Sequence, residues 1–288
     1  MHRSNGLLLA MLAVATLACS RAPDPAEDLG RLEAQVGGRI GVWAEDLATG
    51  ATLAWRADER FAFASTFKPL LVAAVLAEAE AGRIALDDRV ALAGIEIQPH
   101  SPVVGPRVGG EPPTLAELCA AAVTISDNSA TNLLFDRVGG PGGLTAFLRA
   151  HGDATTRFDR YEVALNTNLP GDPRDTTSPR ALAGSYARAV TGDMLDASAR
   201  QRLADWLVAS RTGLERLRAG LPAHWRVGDK TGSGANGAVN NVAIAWPPDG
   251  GPLVIAVLMS GSDADLATLN AAHADIARLV VKHLGMDR

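Results

Sequence analysis

The sequence predicts an α+β fold, with a sheet drawn from both ends of the chain and a helical domain inserted between them. Three observations predict it. Strand-like runs fall near the two termini, helical periodicity fills the span between them, and 288 residues at 47% hydrophobic suffice for one or two domain cores.

His2 and Arg3 precede an apolar run from Leu7 to Ala18. That run is too short to span a bilayer and reads as the core of an export signal, so residues 1–18 are set aside from the fold. Leu17-Ala18-Cys19-Ser20 resembles a bacterial lipobox, which would place lipid on Cys19. Thr16 departs from the aliphatic residue usual there, and a plain signal peptidase would instead cut near Ala15 or Ala22. Either route exports the chain to the periplasm, with a lipid on Cys19 as the only expected link to a membrane. Residues 19–28, with Pro23 and Pro25, read as a tether.

Arg39 to Leu47 and Ala51 to Arg56 read as a hairpin about the turn Ala48-Thr49-Gly50. From Ser65 the pattern turns helical, with Leu70, Leu71, Ala74 and Val75 on one face, and stops at Gly82. Residues 99–113 are rich in glycine and proline and read as loop. Thr114 then caps a helix, with Glu117 placed for a capping box. A second helical run, Ala130 to Val138, ends at the glycine cluster 139–143. Residues 170–179 read as a polar loop, and helices resume from Ala181 to Leu207. Trp225–Lys230, Val239–Trp246 and Leu253–Met259 are strand-like, which brings an antiparallel sheet to about five strands, and Asp263–Leu284 is a last amphipathic helix. Residues 29–60 and 208–288 then form the α/β domain and residues 61–207 the helical one.

The net charge of −5 argues against nucleic acid as a partner, and a monomer is expected. Cys119 lies in an apolar helical pattern and reads as a buried free thiol; no CxxC or HExxH motif supports a metal, and no cofactor is expected.

The chain carries three lysines among its 27 basic residues, so arginine serves wherever a generic cation suffices. Lysine differs in that burial can remove its proton and make it a base. Lys282, on the last helix, reads as solvated. The other two fall in short motifs. In Ser65-Thr66-Phe67-Lys68 the spacing puts hydroxyl and amine on one helical face, one turn apart. A serine becomes a nucleophile when a neighbouring base takes its proton, and a helix start offers N–H groups to an oxyanion. Ser126-Asp127-Asn128 stands between two helical runs, and Lys230-Thr231-Gly232-Ser233 ends a strand-like one. Each alone also fits a cap, a helix break or a strand end.

Together and in this order the three match the signatures of class A β-lactamases and penicillin-binding proteins. The resemblance runs from about Leu47 to the C-terminus. Arg160-Tyr161-Glu162-Val163-Ala164-Leu165-Asn166 resembles the R-x-E-x-x-L-N motif of the class A Ω-loop, here residues 160–175. The resemblance implies a sheet flanked by N- and C-terminal helices, with the active site between it and the helical domain. It implies Ser65 as nucleophile, with an oxyanion hole from the N–H groups of Ser65 and Ser233. Lys68 would lie among Ser65, Ser126 and Glu162, and either Lys68 or Glu162 would take the serine's proton. Ser126 would protonate the leaving nitrogen, Asn128 would bind the acylamide carbonyl, and Glu162 with Asn166 would hold the deacylating water. Asp127 would be structural, and Arg160 and Asp175 would clamp the loop.

Lys230, Thr231, Gly232 and Ser233 would form part of the subsite for the substrate carboxylate. Many class A enzymes add an arginine where this chain has Val239; here Arg216 would replace it, with Arg218 as the alternative. His100 stands where the family places a tyrosine or tryptophan at the pocket rim. Ala64 and Gly234 stand where some carbapenem-hydrolysing members carry a disulfide. The partner implied is a small β-lactam. A penicillin-binding D,D-peptidase or a non-hydrolysing β-lactam-binding lipoprotein is the alternative, and Glu162 with Asn166 favours hydrolysis.

Overall fold

The computed structural model describes residues 24–287; the export signal and Cys19 lie outside them. The chain opens with helix α1 (Pro25–Val36), whose Asp24 side chain accepts from the Ala26 N–H and whose first turn carries Pro25. Part of the expected tether is therefore helical: the proline read there as a breaker is a helix starter. Strands β1 (Arg39–Asp46) and β2 (Thr52–Trp55) form the predicted hairpin, followed by a short β3 (Phe61–Ala62). Helices α2 (Lys68–Glu80), α3 (Leu115–Thr124), α4 (Asn128–Phe135) and α5 (Gly140–Ala150) come next. The capping box forms as expected, with Thr114 and Glu117 each satisfying the other's backbone N–H. The glycine cluster that ends one helical run also opens another: Gly139 takes a left-handed conformation (φ 81°) as the N-cap of α5, and Pro141 occupies its first turn.

Strand β4 (Thr176–Thr177) pairs with β3, then α6 (Pro179–Val190), α7 (Ala197–Val208) and the short α8 (Leu217–Gly220) lead into β5 (Arg226–Ser233), β6 (Val239–Trp246), β7 (Leu253–Ser260) and α9 (Leu266–His283). The five long strands form one antiparallel sheet in the order β2-β1-β7-β6-β5. The N- and C-terminal strands thus meet at β1 and β7, with Arg39 opposite Ser260 and Asp46 opposite Leu253.

Both faces of this sheet are covered. Alternate residues of β7 divide between two cores: Val254, Ala256 and Leu258 face the helical layer, while Leu253, Ile255, Val257 and Met259 face α1 and α9. Double coverage explains why β7 reads as a continuous apolar run instead of an alternating one. Helix α2 is buried on every side from Lys68 to Leu76. It is apolar all round and forms the axis of the helical layer, not a one-faced surface helix. Cys119 is a free, fully buried thiol, which burial pushes up to about 12.

One buried group in α9 gives the fold a pH dependence. His273 is fully buried, with Nδ1 2.8 Å from the Leu269 carbonyl oxygen, and burial lowers its pKa from 6.5 to about 3. Below pH 6.5 the unfolded chain binds a proton that the folded chain refuses, so stability falls as pH drops from 6.5 toward 3. Urea melts at pH 7 and pH 5 are expected to show this slope and to show less of it in His273→Asn; an equal slope in both would assign the loss to other groups.

Candidate active site

The site forms where β5 meets the turn that enters α2. Ala64–Phe67 make one 3₁₀ turn, so Ser65 stands just ahead of the α-helix that begins at Lys68, with Thr66 and Phe67 between. Phe63 and Phe67 hold the turn from below. Their rings lie 5.3 Å apart, Phe63 packs on Phe158 at 4.7 Å, and Phe67 packs on Phe135 at 5.4 Å. Tyr186 adds a hydrogen bond of 2.5 Å from its hydroxyl to the Thr66 carbonyl. From the other side β5 lies flush against this turn, continuing through Ser233 where the strand-like pattern had stopped at Lys230. Gly232 is what permits the approach: a Cβ there would fall 2.8 Å from the Phe63 oxygen and 2.9 Å from the Ser65 nitrogen.

Two buried cations stand behind the serine. Lys68 Nζ donates to Asn128 Oδ1 at 2.6 Å, the Ser126 carbonyl at 2.9 Å and Ser126 Oγ at 3.1 Å, and lies 3.2 Å from Glu162 Oε1. Lys230 Nζ donates to Ser126 Oγ at 3.0 Å and to the Thr231 carbonyl at 2.8 Å. Both amines are fully buried. Burial pulls the Lys68 pKa below the ordinary lysine range against the Glu162 carboxylate, which raises it. Burial, and after it the positive charge of Lys68, takes Lys230 well below that range. Two amine donors share the Ser126 oxygen, so its own proton is free to point elsewhere. Ser126 itself has left-handed backbone (φ 64°), supported by Asp127, whose carboxylate accepts from the N–H groups of Ala130, Val103 and Val104 at 2.8, 2.8 and 3.0 Å.

Glu162 is buried and its carboxylate is shared. Ser65 Oγ donates to Oε1 at 3.2 Å and Asn166 Nδ2 to Oε2 at 2.6 Å. The hydrogen bond of Ser65 therefore goes to Glu162, one of the two groups that the resemblance names for its proton. The Ω-loop is closed by Arg160 Nε donating to Asp175 Oδ2 at 2.6 Å, while Asp175 Oδ1 accepts from the N–H groups of Asp159 and Arg160 at 2.8 and 3.1 Å. Sequence reasoning missed a second tie: Asn132 on α4 donates from Nδ2 to the Glu162 carbonyl at 2.8 Å and accepts the Glu162 N–H at Oδ1 at 2.9 Å. Its signal was an asparagine set among the small and apolar residues 129–135. Thr212, also missed, accepts the Thr231 hydroxyl at 2.7 Å.

Arg216 lies against the end of β5, buried but for its edge. Nε donates to Asn270 Oδ1 at 2.9 Å, Nη1 to the carbonyls of Asn240 and Gly232 at 2.7 and 3.3 Å, and Nη2 to Ser233 Oγ at 2.9 Å. Burial lowers its pKa to about 10, against the raising pull of Asp229 and Glu215. Val239 sits opposite Ser233 across the β5–β6 pair. Arg218 is engaged elsewhere, in an ion pair with the buried Asp229 and with the Val208 carbonyl at 3.3 Å. His100 is exposed, with left-handed backbone (φ 57°); its carbonyl accepts the Asn128 N–H at 3.0 Å and its Nε2 lies 2.8 Å from the Ile125 carbonyl. Asn128 Nδ2 donates to the Pro99 carbonyl at 2.8 Å, which leaves one amide proton unassigned. Among the described residues no group of three or more His, Cys, Asp and Glu could hold a metal ion, and no helix is long and apolar enough to cross a membrane.

Comparison with known proteins agrees with this geometry. Residues 24–284 match the β-lactamase enzyme family. The chain is 51% identical to β-lactamase AST-1 of Nocardia asteroides over 254 residues, 88% of this chain and 82% of that one. It is 44% identical to the carbapenem-hydrolyzing β-lactamase KPC of Klebsiella oxytoca over 263 residues, 91% of this chain and 89% of that one. In structure it matches the class A β-lactamase of the last common ancestor of Gram-negative bacteria with a TM-score of 0.88 at 50% identity, covering 90% of this chain and 99% of the other. With the Ser-x-x-Lys, Ser-Asp-Asn, Lys-Thr-Gly and Ω-loop motifs gathered at one site, the chain belongs to the class A β-lactamases.

Proposed function

We propose that this protein hydrolyses β-lactams through an acyl-enzyme on Ser65, in the periplasm to which the apolar leader directs it. The observation that carries the reading is the buried Glu162 carboxylate, bonded at once to Ser65, Lys68 and Asn166. Ser65 Oγ attacks the lactam carbonyl carbon, and its proton leaves toward the Lys68–Glu162 pair. The oxyanion forms against the N–H groups of Ser65 and Ser233; a fixed donor of this kind contributes roughly 3–4 kcal/mol. As the carbon–nitrogen bond breaks, Ser126 passes its proton to the ring nitrogen and takes back, through Lys68, the proton that left Ser65. Two lysines at 3.0 and 3.1 Å support the charge left on its oxygen.

In the second half Glu162, steadied by Asn166, takes a proton from water as the water attacks the acyl carbon, and that proton returns to Ser65 Oγ as the ester bond to it breaks. Asn128 would hold the acylamide carbonyl, and His100 would form the rim. Lys230, Thr231, Ser233 and Arg216 would bind the substrate carboxylate. A D,D-peptidase shares the first half; the second half depends on Glu162. The purified protein is expected to hydrolyse a chromogenic cephalosporin without added metal, at a rate that a chelator leaves unchanged. A folded sample that forms the acyl-enzyme and then fails to release it would favour the peptidase reading.

A further inference from the structure

We infer that Asn168 and Asn236 form a clasp that holds the Ω-loop in register with the end of β5, and so act as positioning residues for deacylation. The inference rests on the hydrolytic reading above. The deacylation groups, Glu162 and Asn166, ride on the Ω-loop, whereas Ser65 and Ser233 ride on the α2 turn and β5. Deacylation therefore needs the loop and the strand to keep a fixed separation; acylation needs it much less.

The clasp is reciprocal. Asn168 Nδ2 donates to the Asn236 carbonyl at 2.8 Å and to the Ala235 carbonyl at 3.3 Å. Asn236 Nδ2 returns donors to the carbonyls of Thr167 and Asn168 at 2.9 and 3.3 Å. Ser260, at the end of β7, adds a hydroxyl 3.0 Å from Asn168 Nδ2. Both asparagines have left-handed backbone, φ 45° and 50°, a conformation asparagine tolerates better than most residues. Between them the main chains nearly touch: the Ala235 N–H donates to the Asn166 carbonyl at 2.9 Å, and a Cβ on Gly234 would fall 2.7 Å from that same oxygen.

What makes the side chains matter is the space behind the loop. A cleft of about 710 Å³ lies between residues 168–173 of the Ω-loop and the segment Glu59–Ala62, with Asn168, Asn236 and Ser260 on its wall. Leu169 is half exposed beside it. This part of the loop lacks a packed core on that side, so polar stitching replaces packing.

The test uses glycine, which accepts the left-handed backbone while removing the side chain that carries the amide. In Asn168→Gly and Asn236→Gly, rapid-mixing kinetics on benzylpenicillin should show deacylation slowed about five- to tenfold, the order expected for one or two net hydrogen bonds. Acylation should stay within about twofold, and acyl-enzyme should accumulate in intact-mass spectra. The double variant should lose less than the product of the two single losses, because the two sets of hydrogen bonds span one loop–strand junction and each depends on the other to hold it. A thermal melt checks folding. Asn236→Asp, which keeps the side-chain volume but turns an acceptor toward the two carbonyls, should show the same step-selective loss. Equal losses in both steps, additive losses in the double variant, or parent-like rates would overturn the clasp. Failure of the parent protein to deacylate would instead overturn the hydrolytic reading, and this inference with it.

Discussion

Replacing Glu162 with alanine is expected to stop the reaction halfway, with a covalent adduct on Ser65 visible by intact mass and kcat lower by at least about a thousandfold, some 4 kcal/mol in barrier height. The structure gives two reasons why the loss should fall on deacylation. The backbone at residue 162 is held from both sides by Asn132, so removing the carboxylate leaves the loop in place. Lys68 also keeps its bonds to Ser126 and Asn128 when its carboxylate partner goes. Without that partner the largest influence raising the Lys68 pKa is lost and the charge of Asp127 remains, so burial takes the amine further down and leaves more of it neutral. A neutral Lys68 can still accept a proton, and acylation should persist. Turnover of the variant at the parent rate would remove Glu162 from the mechanism. Loss of the adduct as well would make Glu162 essential for acylation too.

The architecture was legible because its signals are local. Proline, glycine and capping residues punctuate the chain, and the hairpin, the capping box and the three C-terminal strands fall where they indicate. Where the reading missed, a local signal had two meanings. Pro25 both stops a chain and starts a helix, and the run Gly139-Gly140-Pro141 both ends one helix and caps the next. The continuation of β5 through Gly232 and Ser233 is set by a tertiary contact, the fit of Gly232 against the Ser65 turn, which no propensity reports. The motif residues of the site could be read from the sequence because their types and order are constrained by chemistry. Asn132, Thr212 and the Asn168–Asn236 pair could not. Each acts through an amide or hydroxyl aimed at a backbone or side chain far along the chain, and such partners appear only after folding.

The resemblance left two arginines as candidates for the carboxylate subsite, and their surroundings separate them. Arg218 is committed to the buried Asp229 carboxylate, whereas Arg216 sends Nη2 to Ser233 Oγ at the exposed end of the strand. Arg216→Ala is therefore expected to lower kcat/KM about ten- to a hundredfold, mainly through KM, as for a lost charge-assisted contact worth roughly 1.5–3 kcal/mol. Lysine should not restore it. The guanidinium satisfies Asn270 with Nε and two main-chain carbonyls with Nη1, and a single ammonium cannot reproduce that planar set. The comparison that isolates the role is a substrate against its carboxyl methyl ester. The parent enzyme should prefer the free acid, and Arg216→Ala should lose most of that preference by losing activity on the acid while keeping it on the ester. Loss of activity on both by the same factor would make Arg216 a support for β5, since its removal also strands the carbonyls of Gly232 and Asn240. An unchanged preference would leave the carboxylate to Lys230, Thr231 and Ser233.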